Sequence, residues 1–385
     1  MTASATDVVR EVAGYGLPGA APKLPQAVLD DETWEAVLAG VSGHRLTGHM
    51  VRALDDGAFM AKDDQHAAAV EAHERALAVE LVLERLLLTT VSQLATAQIT
   101  PRVLRGPAVA HSVYPEPGLR SFADVDLLVA GQDYDAALAL LCARGARRRY
   151  QEPRKGFERR FGKGVCLEIP GAPGLEIDLH RTFVAGPFGL AVDTDALFES
   201  STEFLLGGQE QHGLDPEARF LDSCFHAALG RKQPRLVALR DVAQMILCSP
   251  LDADRVRERC RAWRCGVVVQ RAVGLAWDAF ALDSTPEVVR WARRQECSEF
   301  ENRALLAYVS SDRSYARQAV AGLEAVRGVR AKARYAIALL VPNRAYVRIR
   351  EGSYRRRVRR ALRLFRDESR RQASAGTPIG SRPLV

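Results

Sequence analysis

Between residues 34 and 60 apolar side chains recur three and four positions apart, the period of an α-helix. A second such pattern starts at His66, runs through Leu77, Leu81, Glu84, Arg85 and Leu88, and reaches toward Ile99. Together they predict an α-helical N-terminal section. Residues 1–30 carry Gly14, Gly16, Pro18, Gly19, Pro22 and Pro25 and are expected to form a loop-rich entry. The texture changes at Pro101. Residues 102–105 predict a short strand ending at Gly106, followed by a helix over 107–114 and a Pro/Gly loop at Pro115, Pro117 and Gly118. Residues 125–129 predict a second strand, and 133–144 a helix stopped by Gly145. Residues 146–180 alternate between glycine and proline breaks and predict further strands. From Asp215 the helical period returns, with Leu236, Leu239, Val242, Ala243 and Ile246 on one stripe, and it persists to about Leu340. The expected fold class is α+β, a small α/β core with a mixed sheet flanked by helical regions. The expected division is 1–78 (loop and helices), 79–207 (core), 208–345 (helical) and 346–385 (basic helix and tail).

The core holds the candidate chemistry. Asp124 and Asp126 lie two apart at the start of a strand, so both carboxylates are expected on one side. Adjacent carboxylates repel unless a cation lies between them. Magnesium binds carboxylate oxygens together with substrate phosphates. An isolated DxD is weak, because such pairs also decorate loops and helix starts. This one runs straight into the apolar segment Val125-Asp-Leu-Leu-Val129, where unsolvated charge needs a reason. Downstream, Leu175, Ile177 and Leu179 alternate with Glu176, Asp178 and His180. Asp178 can therefore supply a third carboxylate to a two-metal site, which suits in-line phosphoryl transfer. An ordinary edge strand with its polar face in water gives the same alternation.

Composition changes this picture little. The chain has 385 residues, 47% hydrophobic and 26% charged, enough for more than one domain's worth of core. It contains no apolar run long enough to span a bilayer and no N-terminal secretory pattern, which favours a cytoplasmic location. The seven cysteines are scattered without CxxC or zinc spacing and are expected to be reduced thiols. The net charge of +7 is compatible with a polyanionic substrate. Much of it sits near the end: Arg348, Arg350, Arg355, Arg356, Arg357, Arg359, Arg360, Arg363, Arg366, Arg370 and Arg371, with Val358, Ala361, Leu362 and Phe365 on one helical face. A basic amphipathic helix of this kind either contacts RNA, an acidic membrane or an acidic partner, or packs back on the protein. Residues 372–385 are expected to be disordered.

The ordered set Leu104-Arg-Gly106, Tyr114-Pro-Glu-Pro-Gly-Leu-Arg120, Asp124-Val-Asp-Leu-Leu-Val129 and Asp178-Leu-His180 resembles an uncharacterised nucleotidyltransferase family within the superfamily related to DNA polymerase β. The resemblance continues through Cys224-Phe-His226 and Arg235 to Asp241 and covers residues 34–277. Three positions depart from the pattern: Arg105 for lysine, Ala123 for glycine, and Gly106-Pro107 for glycine–serine. The resemblance implies transfer of a nucleoside monophosphate from an NTP to an acceptor (a small molecule, sugar phosphate or peptide) with release of pyrophosphate. It implies Mg²⁺ or Mn²⁺ on Asp124, Asp126 and Asp178, with Asp178 also helping to deprotonate the acceptor. It places Arg105, Gly106, Arg120 and His180 at the nucleotide, with both arginines facing phosphates. His226, on an apolar helix, is expected to be a structural histidine with Asp241 as partner. The alternatives are a toxin-like enzyme acting on tRNA and a nucleotide-binding member without turnover.

Overall fold

The computed structural model describes residues 4–170, 174–310 and 315–356, together with 359 and 363. Residues 357, 358, 360–362 and 364–371 of the arginine-rich terminal helix, and the whole 372–385 tail expected from sequence, lie outside the described residues.

Seven strands form one mixed sheet: β1 (Arg102–Leu104), β2 (Val125–Leu128), β3 (Arg147–Arg148), β4 (Gly164–Glu168), β5 (Glu176–His180), β6 (Thr202–Leu206) and β7 (Gln209–Gly213). Their order is β3-β4-β5-β2-β1-β7-β6. β2 pairs in parallel with β5, and β1 with β7; the other pairings are antiparallel. The β2–β5 register sets Asp126 opposite Asp178 and Leu128 opposite His180.

Alternation along these strands gives each face its own helical layer. Val125, Leu127, Ile177 and Leu179 point to one side, where Leu83, Leu87 and Leu94 of the long helix Asp63–Ala95 cover them with Tyr134, Ala137 and Leu141 of helix Tyr134–Ala143. Leu104 and Leu128 face the opposite side and join a second cluster running from Val8 to Tyr308. Helices Pro216–Leu229, Leu236–Cys248 and Gly266–Ala279 dominate that layer. Helix Pro216–Leu229 starts where its local chemistry favours it: the Asp215 side chain accepts from the Ala218 N–H, and Pro216 occupies the first turn.

Three expectations change. The entry segment contains a helix, Ala5–Gly14, capped by the Ser4 side chain, which buries Val8, Val9, Val12 and Ala13. The helical stretch over 34–60 is two helices, Asp31–His44 and Thr47–Asp55, because Arg45 adopts the left-handed conformation that ends the first. The sheet also continues past 207. The hairpin β6–β7 turns at Gly207 and Gly208, both at positive φ, and β7 pairs with β1 inside the region expected to be helical. Its polar sequence, Gln209-Glu-Gln-His-Gly213, hides a strand that buries only its Gln211 and Gly213 positions.

Candidate active site

β1 delivers the chain to Arg105, which has φ +39°, and to Gly106 at φ +24° before helix Gly106–Val113 begins. A non-glycine residue at positive φ costs about 1–3 kcal/mol and persists only where its surroundings fix it. Here they do. Arg105 Nη2 donates to Asp126 Oδ2 at 2.7 Å, and Nη1 donates to Asp222 Oδ1 at 2.6 Å, from helix Pro216–Leu229. All three groups are buried. Burial alone would push the Asp126 carboxyl up, but Arg105 and His180 hold it well below the usual carboxylate range. Asp222, with Arg105 as its partner, is still pushed up by burial.

The second oxygen of Asp126 lies 2.6 Å from His180 Nε2. His180 Nδ1 lies 3.1 Å from the Thr182 carbonyl oxygen. A carbonyl only accepts, so Nδ1 carries a hydrogen, and the neutral ring then presents a bare Nε2 to the carboxylates. Imidazoles that ligate metals are oriented in this way. Asp178, across the β2–β5 pair, brings Oδ2 to 4.0 Å from Nε2 and to 3.4 Å from Lys163 Nζ. Ligand atoms of Asp126, Asp178 and His180 all lie within 4.8 Å of one another, a donor set fit for a divalent cation.

Asp124 is separated from this trio. It precedes β2, its side chain is 60% exposed against 8% for Asp126, and it pairs with Arg45 Nη1 at 3.5 Å. Gly106 is buried beneath the loop that carries Asp124: a Cβ added there would stand 3.6 Å from the Asp124 carbonyl oxygen. Space is sufficient, so the positive φ is what calls for glycine.

Residues 30–281 match the family described as uncharacterised nucleotidyltransferase. The chain belongs to that family. Among solved structures, this nucleotidyltransferase family member is similar to an antigenic nucleotidyltransferase-like protein from Paracoccidioides brasiliensis. The two are 18% identical, with a TM-score of 0.32, over 55% of this chain and 95% of that one. No curated protein matches the chain. The mixed sheet between helical layers is the α+β architecture expected from the sequence.

Within this family member, the expected site residues take different positions. Asp126, Asp178 and His180 come together, with Asp124 at the rim. Arg105 borders a cavity but gives both terminal nitrogens to Asp126 and Asp222. Arg120 is buried and donates to Asp241 through Nε at 3.2 Å and Nη2 at 2.7 Å, and Tyr114 Oη donates to the same carboxylate at 2.9 Å. Arg120 therefore braces the Asp124 loop from behind. Asp241 belongs to Arg120 and Tyr114, not to His226, which is exposed and lines a cavity.

That cavity, of about 360 Å³, lies against Arg105, Lys163, Phe225, His226 and Leu229. A second, of about 310 Å³, lies against Asp178, His180, Cys166, Tyr150 and Lys163. Lys163 and Ala185 border both, and only the second is lined by a site carboxylate, Asp178. The sequence reading missed Lys163, Asp222 and Arg45. No local motif marks them, and only the fold brings them to the site.

Proposed function

We propose that the chain is a metal-dependent nucleotidyltransferase that moves a nucleoside monophosphate from an NTP to an acceptor oxygen and releases pyrophosphate. The observation that carries this reading is the in-register placement of Asp126 and Asp178 beside His180 in a member of a nucleotidyltransferase family. Asp126, Asp178 and the bare Nε2 of His180 would hold the cation, with Asp124 available at the rim. Two carboxylates suit Mg²⁺ or Mn²⁺, and an imidazole in the set suits Mn²⁺ better. When bound, the cation offsets carboxylate–triphosphate repulsion and stabilises the charge on the departing pyrophosphate. The acceptor oxygen attacks the α-phosphorus, the bond from that phosphorus to the β-bridging oxygen breaks, and the acceptor proton passes to Asp178. Asp178 is suited to that transfer because it is half-buried, borders a cavity and keeps Lys163 as a counter-charge. Consumption of an NTP favours a cytoplasmic setting, and among the described residues no helix is long and apolar enough to cross a membrane.

The test is pyrophosphate release from each of the four NTPs with Mg²⁺ or Mn²⁺, comparing wild type with Asp178→Asn. The expected loss is about 10²–10⁴-fold, the usual cost of removing a general base. Release at the wild-type rate by a folded Asp178→Asn variant removes Asp178 from the reaction. One observation favours a binding protein without turnover: Arg105 already neutralises one oxygen of Asp126. That reading requires metal-dependent NTP affinity with no pyrophosphate release by wild type.

A further inference from the structure

Beside Asp124 lies a group of arginines outside the Asp126, Asp178 and His180 trio. Arg45 follows helix Asp31–His44, whereas Arg231 and Arg235 lie in the loop between helices Pro216–Leu229 and Leu236–Cys248. One hydrogen bond ties these segments together: the Leu236 N–H donates to His44 Nδ1 at 3.0 Å. It sets Arg45 and Arg235, the neighbours of those two residues, side by side. Burial lowers the Arg235 guanidinium, and the adjacent positive charges of Arg45 and Arg231 lower it further. Asp124, at 3.5 Å from Arg45, is the carboxylate that serves this group. Neither Arg231 nor Arg235 makes an ion pair among the described residues. Arg235 is also the N-cap of helix Leu236–Cys248 and gives it no side-chain cap, so the positive end of that helix dipole adds to the same spot.

Three guanidinium groups around one carboxylate repel one another, and a folded chain keeps such an arrangement at a stability cost unless an anion relieves it. We propose that Arg45, Arg231 and Arg235 form a polyphosphate clamp that takes the β- and γ-phosphates of the NTP; this rests on the nucleotidyltransferase reading above. Guanidinium forks match phosphate oxygens in pairs. The position fits, because Gly230, next to Arg231, lines the cavity that Arg105 and Lys163 border. A triphosphate tail on the clamp then leaves the α-phosphate near Asp124 and the trio. The arrangement also answers the departure at Pro107, which lacks the hydroxyl expected for gripping phosphate after β1. In this chain the grip comes from helical segments outside the sheet.

The clamp is tested by calorimetric titration of inorganic tripolyphosphate, the four NTPs and the matching monophosphates into the full-length protein. Wild type, Arg231→Ala, Arg235→Ala and the distant, exposed Arg303→Ala are compared, with thermal melts confirming that each folds. Arg231→Ala and Arg235→Ala are each expected to weaken tripolyphosphate and NTP binding about tenfold or more, leaving monophosphate affinity unchanged. Arg303→Ala is expected to match wild type. Equal tripolyphosphate affinity in wild type and both clamp variants overturns the proposal, as does an equal loss in Arg303→Ala. Tripolyphosphate binding that depends on the clamp, with no pyrophosphate release by wild type, keeps the clamp and removes the enzyme. Turnover with undiminished NTP affinity in the clamp variants does the reverse.

Discussion

Glu80 lies buried in helix Asp63–Ala95 with its carboxyl against Ser121 and the backbone at Phe122, in the loop that leads to Asp124. One of its oxygens has no hydrogen-bond partner, and burial pushes its pKa up to about 7. The folded protein therefore holds a proton that the unfolded chain releases near pH 4.5. Between these values the native state binds more protons, so Glu80's contribution to stability falls as pH rises from about 4.5 to about 7 and is level above that. Melting temperatures across this range should show that decline in wild type and a flatter profile in Glu80→Gln. A decline of equal slope in the variant excludes Glu80 as its source. The acidic site residues should also respond unequally to amide substitution. Asp126→Asn leaves Arg105 buried with half its pairing and should cost about 3–5 kcal/mol. Asp178, half exposed and paired only loosely with Lys163, should cost under about 1 kcal/mol. Denaturant melts of the two variants measure the difference, and equal costs contradict the buried Arg105 network.

At the scale of elements, β4 and β5 approach closely where the site is built. Gly164 has φ +155°, and a Cβ added there would stand 2.1 Å from the Leu179 carbonyl oxygen, between Asp178 and His180. Gly164→Ala must push β4 away from β5. It should destabilise the fold by at least about 2 kcal/mol and weaken metal binding, as read by thermal melts with and without Mn²⁺. Unchanged melts would mean that the β4–β5 spacing yields without cost. This element was legible in advance: the apolar residues of β5 face one layer, and Asp178 and His180 face the other, as the alternation requires. So was β2, whose short apolar run predicts a strand. β7 was not legible, because its polar sequence has no apolar period to read. The Arg105–Asp222 contact was not legible either, since it joins residues 117 positions apart and leaves no local trace. The expectation that Arg120 faces phosphate rested on its motif position, which carries no information about direction.

For the whole molecule, the segments read as separate regions share their interior. One apolar cluster contains Val8 and Trp34 from the N-terminal helices, Leu104 and Leu128 from the sheet, and Trp277 and Tyr308 from the C-terminal helices. β7, which lies beyond residue 207, separates β1 from β6 in the sheet. Asp222, also beyond it, completes the pairing of Arg105. A fragment spanning 79–207 therefore lacks the strand that joins β6 to β1, a buried counter-charge and one covering layer. Expressed alone, it should show no cooperative thermal transition by circular dichroism, whereas the full chain should melt cooperatively. A cooperative melt of the fragment would make it an independent domain.

The parallel register of β2 against β5 also bears on timing. Asp126 and His180 are 54 positions apart, and the chain between them must cross over the sheet before β5 can dock beside β2. Contacts of this span form late in folding, because the entropy of closing the loop is lost before the contacts compensate for it. A nascent chain that has emerged only as far as β2 shows Asp124 and Asp126 but neither Asp178 nor His180. On the proposed reading, a cation would meet this centre only after the sheet has closed, and would select the finished fold without guiding its assembly.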